Sequence, residues 1–351
     1  MTETHEHKRV DRNALESFSI DVLEAAGVTP YHARRVAEGL VHADLRGVDS
    51  HGVARLETYV EKFVHGGFNP DPDIETDRRA SSVVVVDADH GPGQSAGIRA
   101  MDEAMACASE TGIAASFVTN SNHFGTAAFF TQHAADQDFV GIAMSNVGSD
   151  VIPFGGVTPF LGTNPISIAI PSDRWFPITL DMATSVVAMG KIDHVAREEN
   201  SDLPPDWAVD ANGESTTNPH DVAALRPAGG PKGYGLAFMV DVFCGMLADA
   251  SVSPDVGALY DDFGDPMRLG HTFLAIDIST LIEPELFRSA VGAYVDRLKD
   301  EPTQAGVEEI MVPGEPEARR RRENEAAGVP VREATEASLD RLAERFGLEP
   351  V

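Results

Sequence analysis

The sequence predicts an α/β fold with a helical unit at its N-terminal end. Two observations support this prediction. Short apolar runs at 83–86, 113–118 and 166–170 have the length and composition of buried strands, and segments with helical patterns separate several of them. Before the first of these runs, residues 12–67 show helical patterns only. A chain of 351 residues is long enough to bury a sizeable core in one large domain or two.

Three helices are predicted in the N-terminal unit. The first covers 12–26 and ends at Gly27, a residue type common just after helices. Thr29 and Pro30 supply a cap and a first helical residue for a second helix, which runs to about residue 46. Ser50 is expected to cap a third helix that ends near Gly66. A Pro- and Asp-rich connection then covers 69–79.

Strands and helices alternate along the rest of the chain. The predicted strands cover 82–87, 113–118, Phe139–Ser145, Ile166–Ile170, 177–181 and 271–278. The predicted helices cover 98–110, 126–138, 184–191, 234–250, 283–298, 315–326 and Glu333–Phe346. The segment 193–231 is polar and rich in loops. The helix at 234–250 is apolar almost all round, which predicts that it is buried.

A glycine-rich stretch follows the strand at 82–87. Gly91, Gly93 and Gly97 nearly match a dinucleotide-binding fingerprint, but the third glycine comes one residue late. Pro92 and the lack of a following strand with an acidic end also oppose that interpretation. The stretch is therefore predicted to be a strand-to-helix turn and not a Rossmann phosphate loop.

The charge of the chain excludes some classes of partner. It has 27 basic and 56 acidic residues and a net charge of −29, which opposes binding to nucleic acid or to an anionic membrane. The acidic residues are spread along the chain, and lysine is rare. This pattern is typical of a halophile, in which concentrated salt screens the repulsion between surface charges. We therefore expect the stability to fall when salt is removed.

The remaining composition indicates a cytoplasmic protein. The two cysteines, Cys107 and Cys244, lie in apolar helical patterns and are expected to be buried thiols in a reducing compartment. No apolar run is long enough for a membrane-spanning helix, and residues 1–11 lack the apolar core of a signal peptide.

His123 lies on a polar turn, Thr119 to Gly125, between a predicted strand and a predicted helix. Such positions often face a cleft, and a loop on a rigid scaffold suits a group that reacts with a small molecule. A histidine that caps the helix and bonds to backbone fits the pattern equally well. The residues of the turn leave both interpretations open.

The predicted third helix places His51, Arg55 and Tyr59 four residues apart, so that they share one face. His51 would lie in the first turn, where free N–H groups favour an anion. The planar guanidinium of Arg55 suits a carboxylate. This face could hold an organic acid, or it could be an ordinary solvated face with surface ion pairs.

Other candidate sites are less specific. Lys232 lies among glycines ahead of a predicted helix, where it could contact a phosphate or remain an exposed loop lysine. Asp181 ends a predicted strand, where it could cap the following helix or contact a ribose. Residues 319–322 form an arginine run of the kind usually found on solvated helices. The histidines are scattered, so no metal site is predicted.

Seven segments together resemble the type 2 malate/L-lactate dehydrogenase family, which includes ureidoglycolate and sulfolactate dehydrogenases. They occur in the family's order within about residues 12–322. The segments are ADLRGVDSHGVAR (43–55), NHFG (122–125), PFGG (153–156), LGTNP (161–165), DMATS (181–185), GKI (190–192) and GPKGYGL (230–236).

This resemblance implies a non-Rossmann nicotinamide-binding fold. A mixed-sheet domain, here 79–279, would bind the cofactor, and residues 1–78 with about 280–351 would form a helical domain from both chain ends. The resemblance also implies a homodimer with its site near the domain and subunit junction. NAD is the expected cofactor, with NADP possible.

The resemblance also assigns site residues. The proton acceptor of the family corresponds to His123, and its substrate-binding and active-site positions correspond to His51, Arg55 and Tyr59. Its cofactor contacts correspond to Asn146, Val147, Asp181, Met182, Ala183, Lys232, Arg319, Arg320 and Arg321. The loop at 146–149 departs from the small, hydroxyl-rich version that is expected in the family.

The implied reaction is hydride transfer between the nicotinamide and a small 2-hydroxy acid of the malate, lactate, sulfolactate or ureidoglycolate type. Arg55 would hold the carboxylate, and neutral His123 would accept the hydroxyl proton, because the histidine pKa of about 6.5 permits both protonation states. Two alternatives remain: an NADPH-dependent reductase of cyclic imino acids, and a non-catalytic cofactor-binding paralogue. The sequence does not distinguish between the 2-hydroxy acids.

Overall fold

The structure is a computed structural model that describes residues 8–197 and 202–351. His5, His7 and the stretch 198–201 of the predicted polar segment lie outside the described residues. None of the helices in the described ranges combines the length and the apolar composition that a membrane crossing requires.

Ten α-helices occur among the described residues. They are α1 (Arg12–Ala25), α2 (Pro30–Leu45), α3 (Leu56–His65), α4 (Gly93–Thr111), α5 (Ala128–Ala135), α6 (Met189–Arg197), α7 (Pro231–Asp241), α8 (Pro284–Lys299), α9 (Glu315–Ala327) and α10 (Glu333–Phe346). Two short 3-10 turns, Asp49–His51 and Val53–Arg55, precede α3. A π-helical turn, Val242–Met246, continues α7.

The strands form one large sheet and two small ones. They are β1 (Lys8–Val10), β2 (Glu75–Ala80), β3 (Val83–Asp87), β4 (Ile113–Ser121), β5 (Phe139–Ser145), β6 (Ile166–Ile170), β7 (Ile178–Met182), β8 (Ala208–Val209), β9 (Ser215–Thr216), β10 (Ala224–Leu225), β11 (Leu269–Asp277) and β12 (Val329–Val331). The small sheets pair β1 with β12 and order the other three strands as β10-β8-β9.

The large sheet has seven strands in the order β2-β3-β4-β11-β5-β6-β7. Only β3 and β4 run parallel, and α4 forms the connection between them. Every other neighbouring pair is antiparallel. This mixed sheet confirms the predicted α/β class and differs from the parallel sheet of a Rossmann domain.

One edge of this sheet collects the predicted site residues. β4 and β5 both run antiparallel to β11, so their C-terminal ends, at Ser121 and Ser145, lie on the same edge. β7 reaches this edge as well, because Met182 pairs with Ile166, and Ile166 in turn pairs with Met144 near the end of β5. The turn of His123 and the segments at 146–147 and 181–183 therefore lie at three strand ends on one side of the sheet.

The protein has two large hydrophobic cores. One joins the N-terminal helices with residues from 256–269 and 329–343, and the other packs α4 and α5 on the large sheet. Val295 of α8 packs with Phe176 and Val312 in a smaller cluster. The predicted division into a helical domain, 1–78 with about 280–351, and a sheet domain, 79–279, stays a prediction.

The prediction that Ser50 caps a continuous third helix is wrong. The segment forms the two 3-10 turns instead, and α3 begins at Leu56 with Arg55 as its cap residue. His51 therefore does not lie in the first turn of α3, and the spacing of four residues does not explain how His51 and Tyr59 both contact His123.

Several predicted boundaries also need correction. β2 was expected to be part of a connection, because its exposed, polar residues lack the apolar alternation of a strand. α4 begins at Gly93, five residues before its predicted start at 98, because the glycine-rich stretch is itself helical. The segment at 184–188 is not helical, since Thr184 bonds through N–H and Oγ1 to the Thr163 carbonyl oxygen at 2.8 and 2.9 Å.

The prediction that the helix at 234–250 is buried is wrong for one of its faces. Ala237 and Val240 are buried, but Leu236, Phe238 and Met239 are 44, 49 and 49% exposed. A helix that is apolar almost all round can bury one face inside its own chain and the other against a second chain.

Candidate active site

The turn after β4 places His123 at the edge of the sheet. Asn122 is fully buried and holds this turn, because its Nδ2 donates to the His90 carbonyl oxygen at 2.6 Å and its Oδ1 accepts from the Met267 N–H at 2.9 Å. Gly93 lets α4 approach closely, since a Cβ there would lie 2.3 Å from the Asn122 carbonyl oxygen. The glycine-rich stretch thus supports the turn by close packing.

One ring nitrogen of His123 is bonded within the protein. Its Nδ1 lies 2.5 Å from the Tyr59 Oη, and the Gly125 N–H donates to the same nitrogen at 3.3 Å. Nε2 has no hydrogen-bond partner among the described residues. Burial holds the pKa of His123 well below its usual range, and electrostatic interactions with the neighbouring His51 ring and the Arg55 guanidinium lower it further. The ring is therefore neutral at neutral pH and has a nitrogen available to a ligand.

A buried carboxyl group shapes the segment that bears His51 and Arg55. The Val53 N–H donates to the Asp44 Oδ2 at 2.8 Å, and burial raises the pKa of Asp44 well above its usual range. Gly52 is required at this contact, because a Cβ there would lie 1.7 Å from the Asp44 Oδ1. Asp44 thus fixes the 3-10 turns from the end of α2.

His51 stacks on His123, with ring centroids 5.7 Å apart and an angle of 24° between the planes. Its Nδ1 lies 3.0 Å from the Ser50 Oγ. Burial lowers the pKa of His51 to about 4, and Arg55 adds to this shift. Two neutral imidazoles therefore lie side by side near one guanidinium.

Arg55 provides the positive charge of the cluster. Its Nε donates to the Ser50 carbonyl oxygen at 2.7 Å, and its guanidinium lies over the Tyr260 ring, 5.1 Å from the centroid. Tyr59 is fully buried, and burial raises its pKa to about 12, although Arg55 acts in the opposite direction. Tyr59 is therefore a neutral phenol. The structure thus brings together all four residues of the predicted catalytic group.

Asp181 caps a helix, but not the one considered from the sequence. Its Oδ2 accepts from the Ala128 N–H at the start of α5 at 3.2 Å. Arg46 Nη1 lies 3.6 Å from the same oxygen, an ion pair too long for a hydrogen bond. Burial raises the pKa of Asp181, which Arg46 opposes. The buried Nη1 of Arg46 has no hydrogen-bond partner within the described residues.

The side-chain amide of Asn146 forms hydrogen bonds within the protein at both its nitrogen and its oxygen. It is fully buried, its Nδ2 donates to the Ser251 carbonyl oxygen at 2.7 Å, and its Oδ1 accepts from the Gly270 N–H at 3.1 Å. The Val147 N–H donates to the Asn164 Oδ1 at 3.1 Å. The Val147 side chain is half-buried, so it is the part of this predicted contact that a ligand could touch.

Lys232 lies in the first turn of α7 and is exposed. Its ammonium group forms no ion pair with a carboxylate of the described residues. A lysine beside a helix N-terminus is suited to bind a phosphate. Met182 and Ala183 are half-buried at the end of β7.

The three predicted arginines of α9 have different surroundings. Arg319 bonds to Glu309 and Glu315, and Arg321 bonds to Glu325 at 2.9 Å. Arg320 covers Gly47, where a Cβ would lie 2.6 Å from its Cδ. Of these three arginines, Arg320 is the one whose side chain packs on the turn at Arg46 and Gly47.

Two residues of the site were missed from the sequence. Gln94 was counted within a turn, yet its buried Nε2 donates to the Tyr59 Oη at 3.1 Å. Asp44 lies within a helical pattern, where an acidic residue is usually exposed. No periodicity distinguishes either residue, because each acts through a contact that is distant in sequence.

Comparison with known proteins gives a consistent result. Residues 10–340 match a family model described as malate/L-lactate dehydrogenase. Malate dehydrogenase of Pyrococcus horikoshii is 37% identical over 352 residues, covering 97% of this chain and 96% of the relative. Ureidoglycolate dehydrogenase (NAD(+)) of Escherichia coli K12 is 35% identical over 323 residues, covering 92% of each chain.

Solved structures agree with these relatives. The structure of the Pyrococcus horikoshii malate dehydrogenase superposes with a TM-score of 0.90 at 35% identity and covers 99% of this chain and 98% of that one. The structure of delta1-piperideine-2-carboxylate reductase from Pseudomonas syringae superposes with a TM-score of 0.86 at 27% identity, over 96% of this chain and 99% of that one.

Proposed function

The chain belongs to the malate/L-lactate dehydrogenase family, and on that premise we propose how its residues divide the reaction. The family makes it a nicotinamide-dependent oxidoreductase of 2-hydroxy acids. Our proposal is an NAD-dependent enzyme in which His123 is the proton acceptor and Arg55 holds the substrate carboxylate.

One observation supports these roles above the others. The neutral His123 has an Nε2 that no described residue hydrogen-bonds, and it lies beside the guanidinium of Arg55. A 2-hydroxy acid bound by its carboxylate to Arg55 would place its hydroxyl group near this nitrogen, which accepts the hydroxyl proton during oxidation. In the reverse direction the imidazolium donates that proton to the carbonyl oxygen. The nicotinamide, when bound, supplies the hydride acceptor or donor.

His51 and Tyr59 have supporting roles in this proposal. His51 stacks on His123 and is neutral, so it can orient the substrate oxygen without competing for the carboxylate. Tyr59 bonds to the Nδ1 of His123 and fixes the plane of the ring. Arg55 makes the protonated state of both imidazoles less favourable, which favours release of the proton that His123 takes up during oxidation of the hydroxy acid.

The residues fit a dinucleotide. The buried Arg46 Nη1, which forms no hydrogen bond with the described residues, and the cationic Lys232 are donors for anionic or hydroxyl oxygens. We assign the cofactor contacts to Asp181, Met182, Ala183, Lys232 and Arg320, and we retain Asn146, Val147, Arg319 and Arg321 as neighbours of the bound cofactor. NAD is favoured over NADP, because Asp181 is an acid of the kind that accepts from a ribose hydroxyl, and Arg319 and Arg321 already bind carboxylates.

We further propose that the enzyme is a cytoplasmic homodimer. Leu236, Phe238 and Met239 expose an apolar helix face of the kind that protein interfaces cover. Cys107 and Cys244 are both buried and free, as expected of thiols in a reducing compartment.

A second candidate function is the reduction of a cyclic imino acid with NADPH. The superposition with delta1-piperideine-2-carboxylate reductase favours it, since the same Arg55 and His123 could bind a carboxylate and protonate a ring nitrogen. A non-catalytic paralogue is the third candidate, although the intact His51, Arg55 and His123 cluster argues against it.

A spectrophotometric screen tests these candidates. NADH and NADPH oxidation would be followed with the oxo acids of malate, lactate and sulfolactate and with cyclic imines, and NAD and NADP reduction with ureidoglycolate. We expect turnover of one 2-hydroxy or 2-oxo acid with NAD or NADH. Turnover of a cyclic imine alone would support the reductase, and cofactor binding by calorimetry without turnover of any substrate would support the paralogue.

A further inference from the structure

Three side chains form a hydrogen-bonded series that leads away from the reacting nitrogen. Gln94 Nε2 lies 3.1 Å from the Tyr59 Oη, and that oxygen lies 2.5 Å from the His123 Nδ1. Gln94 and Tyr59 are both fully buried, so water does not supply alternative partners. The series begins on α4, passes through α3 and ends on the turn after β4.

The series has two possible arrangements of protons. The phenol of Tyr59 has one proton to donate, and its acceptors in reach are the His123 Nδ1 and the Gln94 Oε1. If Gln94 presents Nε2 to Tyr59, the phenol must donate to Nδ1, and a neutral His123 then has its proton on Nε2. If Gln94 presents Oε1, the phenol donates to that oxygen, and Nδ1 keeps a proton that it donates to the Tyr59 Oη.

Only the second arrangement provides a base for the proposed reaction. The hydroxyl proton of the substrate needs an unprotonated Nε2, and a neutral imidazole has one only when its proton is on Nδ1. Resting on the proposed function, we infer that Gln94 is a positioning residue that selects the Nδ1–H tautomer of His123 through Tyr59.

This role requires the amide group of Gln94 to present Oε1, and not Nε2, to the Tyr59 Oη. With Nε2 directed at Tyr59, Oε1 is buried and has no partner in the described residues. Rotation of the amide group by half a turn gives that oxygen the phenol proton and satisfies it. The change gives up the Gly125 N–H contact to Nδ1, which at 3.3 Å is long for a hydrogen bond, and it moves Nε2 to the side on which Oε1 had no partner among the described residues. The stem of Gln94 is fixed against Gly39, where a Cβ would lie 2.9 Å from its Cγ.

The tautomer of His123 can be measured without substrate. Protein labelled with ¹⁵N in its 12 histidines would be studied by NMR above pH 7.5, and the His123→Gln variant would identify the resonances of His123. We expect the Nδ1–H tautomer in the wild-type protein and in Gln94→Glu, whose side chain keeps an acceptor. Gln94→Met has a similar length and no strong acceptor, so it is expected to give the Nε2–H tautomer.

Kinetics supply the second measurement. Gln94→Met is expected to lower kcat for oxidation about 10²-fold, with KM unchanged, because the bound substrate meets a protonated nitrogen. Gln94→Glu should retain kcat within about 10-fold by the same argument. Gln132→Met is the matched control: Gln132 bonds to His42 and Thr179 away from the series, so its loss tests the general effect of removing a partly buried amide.

A double variant distinguishes this role from a packing role. If Gln94 acts through Tyr59, the variant with both Tyr59→Phe and Gln94→Met should be no slower than Tyr59→Phe alone. Multiplied losses, or a wild-type tautomer and kcat in Gln94→Met, would overturn the inference. Should Gln94→Met not fold, an Nε2–H tautomer in the wild-type protein is sufficient to overturn it. If no 2-hydroxy acid is turned over, the proposed function fails and the tautomer still decides the role of Gln94.

Discussion

His123 and His271 lie close together at the same edge of the sheet, yet their ring nitrogens are used in opposite ways. His271 is fully buried within β11, and its Nδ1 and Nε2 lie 2.8 and 2.9 Å from the hydroxyl groups of Ser145 and Ser121. Its ring also stacks on Phe124, with centroids 4.6 Å apart. In the part of the chain that the structure describes, His123 forms hydrogen bonds through Nδ1 alone.

The two histidines differ in their hydrogen-bond partners and not in the direction of their pKa shifts. Burial lowers the pKa of His271 to about 3 and also lowers that of His123. Both rings are therefore neutral at neutral pH. A strand fixes His271 between two hydroxyl groups. His123 lies on a turn, where its Nε2 forms no hydrogen bond with the described residues.

The largest effect is expected from removing each ring in turn. His123→Ala should lower kcat by about 10³-fold or more, because the reaction loses its proton acceptor, while cofactor affinity is retained. His271→Ala should instead lower the free energy of unfolding by about 2 kcal/mol, because two buried hydroxyl groups lose their partner. Steady-state kinetics and urea unfolding would measure both variants. A wild-type kcat in His123→Ala would contradict the proposal that His123 is the proton acceptor.

Arg55→Lys is expected to have the next largest effect. A lysine keeps the positive charge but lacks the planar fork, so KM for the hydroxy acid should rise about 10-fold or more while kcat changes less. Arg79→Lys, an exposed pair with Asp77, is the control. A rise in the KM of the cofactor with an unchanged KM of the substrate would move Arg55 away from the carboxylate.

Lowering the pH should destabilise the fold, because His271 is neutral in the folded protein. In the unfolded chain His271 titrates near 6.5, and in the folded chain its pKa is about 3. As pH falls below 6.5, the unfolded chain takes up a proton that the folded chain does not, so stability decreases by about 1.4 kcal/mol per pH unit for this group. His271→Phe keeps a ring on Phe124 and should reduce the slope of unfolding free energy between pH 6 and 4. An unchanged slope would show that His271 is protonated in the fold.

Salt is expected to have the smallest effect and to act on the surface alone. The net charge of −29 opposes folding at low salt, and screening should raise the free energy of unfolding by about 1 kcal/mol or more between low and molar salt. Buried groups are screened little, so the slope with pH should not change. Identical unfolding curves at the two salt concentrations would refute a halophilic surface.

The sequence predicted the elements whose patterns are local. The bounds of β5, β6 and α10 agree with the prediction, because alternation, apolar runs and helical spacing are properties of neighbouring residues. β2 was missed, since its side chains face solvent on an edge strand. The start of α3 was wrong because Asp44, from another helix, accepts from the Val53 N–H and holds the chain in 3-10 turns.

The sequence predicted which residues belong to the candidate site, but it did not predict how they contact one another. His51, Arg55, Tyr59 and His123 were found from motifs, but a single sequence does not show that Tyr59 meets His123 across 64 residues. It also does not show that Gln94 stands behind Tyr59, or that Asp181 caps α5. These contacts depend on which strand ends share an edge, and only the sheet order supplies that.

The pairing of β1 with β12 has a consequence for how the chain folds during synthesis. Lys8 pairs with Val331 and Val10 with Val329, and the helical core shares residues from 10–68 and 329–343. On a ribosome part of the apolar surface of the first helices therefore stays uncovered until the residues at 329–343 have emerged. The large sheet, complete at Asp277, can form earlier. The segment that presents His51 and Arg55 would be among the last to reach its final position.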